Sequence, residues 1–316
     1  MTPPAWRLRR RQKACRTVAT DRPHTAIDLG GTKIAAARIL GGKVLDRRQI
    51  ETPRTQSFEP ILEAMARLID GWIDGPVAVA TTGLVDGGCL TAVNPQTLAV
   101  PVDFPIEARL AERLGVAVRA INDAQAAAWG EFRFGAGRGT ASMVFLTVST
   151  GVGGGLVLDG AVRTGPRGLA GHIGHVVAVP DGPFCGCGRR GCLEAIAAGP
   201  ALAQAASRLF RRPTSAEDLF AASADDRDAA GLVDDAAAAI ARVLGNLKAT
   251  LDLDLAVIGG GVGLASRLLP RIEVGVSREP DRFRVPVVHA ALGHDAGLIG
   301  ACDWAIGVLS GRAPNG

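Results

Sequence analysis

Two glycine-rich segments, each between apolar runs and each at the same place in its half of the chain, constrain the fold of these 316 residues more than any other feature. The first is Ile27-Asp28-Leu29-Gly30-Gly31-Thr32-Lys33, preceded by the apolar stretch from Thr25 and followed by Ile34 to Leu40. The second is Ser149-Thr150-Gly151-Val152-Gly153-Gly154-Gly155, set between Ser142 to Val148 and Leu156 to Leu158. Neither runs into a helical pattern, and neither has the Gly-x-x-x-x-Gly-Lys-Ser/Thr frame of a P-loop. Both are expected to be strand–turn–strand units. Adjacent glycines present backbone N–H groups to a polyphosphate with no Cβ in the way. Taken singly, each segment is equally an ordinary hairpin turn; facing one another, the pair would grip a triphosphate from two sides. Asp28, at the end of its strand, is placed to hold a hydrated Mg2+.

The rest of the pattern follows one plan twice. A Gly41-Gly42 turn leads to a strand from Lys43 to Thr52. Ser57 is expected to cap a helix running to about Trp72, with Phe58, Ile61, Leu62, Met65, Leu68 and Ile69 at helical spacing. Strands follow at Val77 to Thr81 and near Cys89 to Val93, then a helix from Ile106 to Leu114 and a strand from Val116 to Ile121. The second half adds a short strand at Ala161 to Arg163 and helices over Gly199 to Phe210, Ala216 to Ala222 and Asp226 to Leu251. A strand at Ala256 to Ile258 runs into Gly259-Gly260-Gly261, which either brings a helix N-terminus toward the adenosine end of a nucleotide or serves close strand–helix packing. A strand from Val285 to Ala290 and a helix from Ala296 to Leu309 close the chain. The expected fold is α/β in two lobes, residues 24–121 and 122–295, with the ligand cleft between them.

The net charge of +4 belongs to one end: the first 23 residues carry seven Lys/Arg against the single acid Asp21, leaving the body about −2. The globular part therefore makes no electrostatic claim on nucleic acid, and residues 1–23 are expected to form a disordered basic tail. No apolar run has the length of a secretory signal core or a membrane span, so a cytoplasmic protein with no membrane partner is expected.

At Ile121-Asn122-Asp123-Ala124-Gln125 a buried strand ends and a helix begins, at the junction of the halves. Asp123 is either a carboxylate base for an attacking hydroxyl or the N-cap of the helix Ala124 to Phe134; Asn122 beside it suits sugar hydroxyls. Of six cysteines, three fall in Cys185-Gly-Cys187-Gly-Arg-Arg-Gly-Cys192. With His175 they make a closed Cys3His set for structural Zn2+, a site without an open position for chemistry; reduced, unliganded cysteines are the other reading. His172 is a possible ligand that a closed site has no room for, and Glu194 projects from the same loop or acts as a charge at a helix start.

In order, Asp28-x-Gly30-Gly31-Thr32-Lys33, Asn122-Asp123, Ser149-Thr150-Gly151-Val152-Gly153-Gly154-Gly155, Gly171-His172-Ile173-Gly174-His175 and Cys185-x-Cys187-Gly-x-x-Gly-Cys192-x-Glu194 resemble the ROK family of sugar kinases and repressors, over about His24 to Ser310. The blocks Asn94-Pro95-Gln96-Thr97-Leu98, Gly168 to His175 and Gly293 to Leu298 are similar to the branch that phosphorylates N-acetylmannosamine in sialic-acid catabolism. The resemblance implies the actin-like ATPase fold of two ribonuclease H-like lobes, with helix 296–310 returning to the first lobe. It implies Asp123 as the base and ATP with Mg2+ against Ala26, Ile27, Asp28, Leu29, Gly30, Gly31, Thr32 and Lys33, against Thr150, Gly151, Val152, Gly153, Gly154 and Gly155, and against Gly260 and Gly261. It also implies sugar contacts from Gly83, Asn94, Asn122, Asp123, His172, His175 and Glu194, and a homodimer. His172 stands where most of the family's sugar kinases carry Glu, which replaces two acceptor oxygens by one donor and one acceptor and favours an N-acetylated mannose over glucose. A glucokinase or other hexose kinase is the alternative within the family. The family's repressors add a helix-turn-helix module of about 60–80 residues in front; only 23 residues precede the first strand here.

Overall fold

The computed structural model describes residues 22–55, 57–93 and 98–311. The expected tail therefore lies almost wholly outside the described residues, as does Asn94.

The first lobe begins with β1 (His24–Leu29), β2 (Lys33–Leu40) and β3 (Lys43–Glu51), followed by α1 (Glu59–Leu68) and β4 (Val77–Thr81). A small hairpin of β5 (Leu84–Asp86) and β6 (Cys89–Thr91), then α2 (Ile106–Leu114) and β7 (Val118–Asn122), complete it. Helix α3 (Asp123–Phe134) leads to the second lobe: β8 (Met143–Val148), β9 (Val152–Leu158), β10 (Ala161–Arg163), α4 (Glu194–Ala197), α5 (Gly199–Phe210), α6 (Ala216–Ala222), α7 (Arg227–Leu251), β11 (Leu255–Gly259), α8 (Leu269–Ser277) and β12 (Val287–His289). The last helix is α9 (Ala296–Leu309).

The sheets have the orders β3-β2-β1-β4-β7 and β10-β9-β8-β11-β12. In both, three antiparallel strands are extended by two parallel ones, so the second half repeats the first. The central strands β4 and β11 are buried at every residue, which explains why they appear in sequence as unbroken apolar runs. Among the described residues no helix is long and apolar enough to cross a membrane.

Helix α1 starts later and ends sooner than its pattern suggests. Phe58, not Ser57, is the flanking residue, because Pro60 occupies the first turn, where a missing N–H costs nothing. The helix stops at Leu68, and Trp72 is fixed by other means: its carbonyl accepts from Thr25 Oγ1 at 2.8 Å, and the Arg48 guanidinium lies 3.9 Å over its ring.

One apolar core lies between the first sheet and α1 and α2, a second between the other sheet and α5 to α8, and a third joins the lobes. That third core is built on α3 and α9, packed between Ala26, Ala35 and Ala37 of one sheet and Met143, Phe145 and Val257 of the other. The two helices cross almost backbone on backbone. A Cβ on Gly300 would lie 1.7 Å from the Ala126 carbonyl oxygen, and one on Gly130 would lie 2.5 Å from that of Ala296. Asp303 of α9 ties the crossing, accepting from Trp129 Nε1 at 2.9 Å and Arg133 Nε at 3.0 Å. Gly300→Ala should therefore destabilise the fold by about 1–3 kcal/mol in chemical denaturation. Gly231→Ala, on α7 where an added Cβ meets nothing within 4 Å, should stabilise it by about 0.5–1 kcal/mol.

Candidate active site

Strands β1, β4 and β7 are parallel neighbours, with Asp28 opposite Ala80 and Thr81 opposite Asn122. This register brings Asp28 and Asp123 to the same end of one sheet. Asn122, not Asp123, caps α3: its Oδ1 accepts from the N–H groups of Ala124 at 3.0 Å and Gln125 at 3.1 Å. Its Nδ2 donates to the Gly83 carbonyl at 3.0 Å. Asn122, expected to serve sugar hydroxyls, has a buried side chain with both ends engaged within the protein. Gly83 takes part through the carbonyl that Asn122 reaches, and its own Cβ position is filled by the Thr91 carbonyl at 2.7 Å.

Capping by Asn122 leaves the Asp123 carboxylate half-buried at the start of α3, accepting the Ala124 N–H at 2.7 Å. Burial pushes its carboxyl up to about 6, against the pull of the Ala124 N–H and of Asn122. Asp28 rises to about 7 through burial and then through the charge of Asp123, while Arg47 of β3 pulls the other way. Two carboxyl groups of raised proton affinity at one end of a sheet suit a cation on the first and a proton acceptor in the second.

The turn between β1 and β2 is closed by the Gly30 N–H donating to the Lys33 carbonyl at 3.0 Å. Thr52, which sequence reasoning passed over, clamps it: its Oγ1 donates to the Gly30 carbonyl at 2.7 Å and its N–H to that of Thr32 at 3.0 Å. Thr32 and Lys33 are exposed, whereas the side chains of Ala26, Ile27 and Leu29 are buried in the core. The second glycine segment differs more from expectation. The turn is only Ser149 to Gly151, closed by the Ser149 N–H on the Gly151 carbonyl at 2.9 Å, and Gly153, Gly154 and Gly155 belong to β9. Their missing side chains make room for protein: a Cβ on Gly155 would sit 2.6 Å from that of Ala128 on α3, and one on Gly154 would sit 2.7 Å from Ile173 Cδ1. Thr150 and Gly151 stay at the turn, while Val152 is buried. The third glycine turn is likewise a packing feature at Gly260, whose Cβ would meet the Val148 carbonyl at 2.4 Å; Gly261 is open. The next α-helix, α8, starts only at Leu269, so no α-helix N-terminus follows this turn directly.

His175 ends a single 3-10 turn, Ile173–His175. Its Nδ1 lies 3.7 Å from Cys185 Sγ, Cys187 and Cys192 are 3.7 Å apart at sulfur, and all four ligand atoms fall within 4.8 Å of one another. Sulfurs at about 2.3 Å from a tetrahedral zinc ion are about 3.75 Å apart, so the donor set has the size as well as the chemistry for that ion. Burial pushes the Cys185 thiol up to about 12, with the neighbouring cysteines adding to the effect; a dication favours the thiolate instead. With Nδ1 facing the sulfurs, His175 keeps Nε2 for a second partner. His172 stands outside the set, its Nδ1 facing the Leu169 carbonyl at 3.2 Å, which makes that nitrogen the donor and Nε2 the acceptor. Glu194 reaches Cys185 Sγ with Oε1 at 3.8 Å and the Val152 N–H with Oε2 at 3.0 Å. Gln125, quoted in the Asn-Asp motif without a role, is buried and donates to the carbonyls of Gly168 at 3.1 Å and Ala170 at 2.7 Å, tying α3 to the loop before His172.

Two lobes of repeated topology, clasped on a helix pair with a carboxylate at the head of one, define an actin-like ATPase. Residues 24–308 match the ROK family. The chain is 43% identical over 288 residues to an N-acetylmannosamine kinase of Haemophilus influenzae, covering 90% of this chain and 95% of the relative. It is 44% identical over 287 residues to an N-acetylmannosamine kinase of Escherichia coli, covering 90% and 98%. A ROK hexokinase from Thermus thermophilus superposes with a TM-score of 0.78 at 37% identity, over 91% of this chain and 99% of the other. A ROK glucokinase from Streptomyces griseus, solved with glucose and AMPPNP, superposes with a TM-score of 0.76 at 30% identity, over 89% and 98%. This chain belongs to the ROK family.

The electrostatics of the site are open to direct measurement. The Asp123 carboxyl carbon, assigned by its loss in Asp123→Asn, should titrate by NMR with a midpoint near pH 6, rather than at about 4 as a solvated aspartate does.

Proposed function

We propose that this chain transfers the γ-phosphoryl group of ATP to the 6-hydroxyl of N-acetylmannosamine. The observation that carries the reading is Asp123: a carboxylate with raised proton affinity, released from capping and opposite Asp28, in a chain 42–44% identical to kinases named for that sugar.

In this mechanism the phosphates of ATP lie against the turns at Gly30 to Lys33 and Ser149 to Gly151. Asp28 would hold Mg2+, which would neutralise phosphate charge when bound with ATP. Asp123 accepts the proton of the 6-hydroxyl as the sugar oxygen bonds to the γ-phosphorus and the bond to the β-phosphate oxygen breaks. Lobe closure about α3 and α9 excludes water and aligns the two oxygens. His175 through Nε2, Glu194, His172 as an acceptor, Gly83 and Asn94 are the groups we assign to the sugar. A pocket that meets the sugar with imidazoles rather than an added carboxylate disfavours glucose, whose hydroxyls suit two acceptor oxygens. His175, Cys185, Cys187 and Cys192 would hold a structural Zn2+ that keeps this wall in place. A cytoplasmic, homodimeric enzyme of sialic-acid degradation is the setting that accompanies this reading.

A coupled assay of ADP release tests it across N-acetylmannosamine, glucose and N-acetylglucosamine. The expected result is the highest kcat/KM with N-acetylmannosamine, with glucose at least tenfold lower, on the order of one lost polar contact. Comparable or better turnover of glucose overturns the substrate assignment and favours the glucokinase alternative, to which the solved hexokinase and glucokinase relatives belong.

A further inference from the structure

Glu194 makes contacts that binding a sugar does not explain. Its Oε2 accepts the N–H of Val152, the first residue after the Ser149–Gly151 turn, at 3.0 Å. Its Oε1 lies 3.8 Å from Cys185 Sγ. The packing is close: a Cβ on Gly151 would sit 2.7 Å from Glu194 Oε2, which would have to shift, and among the described residues it would meet nothing else within 4 Å. The other flank of the Cys3His set presses on the same place. Gly174, next to His175, lies so near the Val152 carbonyl that a Cβ there would be 1.9 Å from its oxygen. Beyond α4, which Glu194 begins, the Gly199 N–H donates to the Ser149 carbonyl at 2.8 Å.

The turn is thus held by the segments that carry His175, Cys185 and Cys192. The loop between them is glycine-rich, at Gly182, Gly186, Gly188 and Gly191, leaves Phe184 76% exposed, and is joined to itself by the short bridges Val177–Cys192 and Phe184–Arg190 beside the Cys3His set. We propose that Glu194 is a positioning residue that transmits the order of the Cys3His cluster to the Ser149–Gly151 turn, so that the metal site governs nucleotide affinity. The inference rests on the kinase reading, which makes that turn a nucleotide site. It extends the reading, because it couples the two substrates' half-sites through a single carboxylate: one oxygen on the turn, the other on the cluster that carries His175.

The test is calorimetric binding of Mg-AMPPNP without sugar, with zinc content measured on each protein. Glu194→Ala removes no cluster ligand; it should retain zinc and raise the nucleotide Kd about tenfold, the scale of a lost hydrogen bond to a charged group. Gly151→Ala should weaken binding similarly in the wild-type chain, and should add no further loss in the Glu194→Ala chain, where the atom its Cβ meets is gone. Stripping zinc from the wild-type protein should raise the nucleotide Kd, and do so much less in Glu194→Ala. A Glu194→Ala protein that keeps zinc and wild-type nucleotide affinity while losing sugar affinity overturns this inference and leaves the kinase reading standing. Wild-type protein that binds no nucleotide overturns both. If Glu194→Ala does not fold, zinc removal from the wild-type protein decides: a raised nucleotide Kd supports the coupling, and an unchanged Kd overturns it.

Discussion

The site depends on one side chain taking a duty that its neighbour was equally suited to take. Asn122 satisfies the first N–H groups of α3 with its Oδ1 and spends its amide on the Gly83 carbonyl. Three elements, β7, α3 and the connection after β4, are fastened in one buried contact. Asp123 is consequently held at a helix start without being consumed by it, in surroundings that favour its proton. Had the cap fallen one residue later, the carboxylate would be locked on backbone N–H groups, with its proton affinity lowered and little basicity left.

From that fastening the rest of the architecture follows outward. Helix α3 runs between the two sheets and meets α9 where glycine at Gly130 and Gly300 removes any cushion of side chains. Glu131, fully buried, stiffens the far end of α3: its carboxylate accepts from the N–H groups of Ala136, Ala291 and Leu292, linking that end to the segment that leads into α9. The two lobes therefore meet on these crossing helices while each keeps its own core.

Much of this was legible in the residues, and the failures share a physical cause. Helices α5 and α6 lie where the Ala-rich amphipathic runs bounded by Gly, Pro and Ser set them, and α9 where an almost wholly apolar run marks a helix buried in the core. The duplicated plan was visible from strand order alone, and the Cys3His grouping from spacing. What the chain alone does not reveal is the neighbour that explains a small residue. Gly153, Gly154 and Gly155 look like a phosphate turn, yet they are strand positions thinned so that Ala128 and Ile173 can approach. Asn122 and Asp123 are both good caps, and only the register of β7 against β4 decides between them. Thr52 clamps a turn about 20 residues earlier in the chain, which no local pattern signals. Gln125 sat inside a recognised motif, but its partners, Gly168 and Ala170, are met only in three dimensions.

The central claim is that Asp123 takes the proton of the attacking hydroxyl, and Asp123→Asn tests it most directly because it removes the basic oxygen while keeping size, polarity and the Asn122 cap. Steady-state kinetics with N-acetylmannosamine and ATP should show kcat reduced by about 10²–10⁴-fold with the KM values little changed. Turnover within a few-fold of wild type would contradict the account.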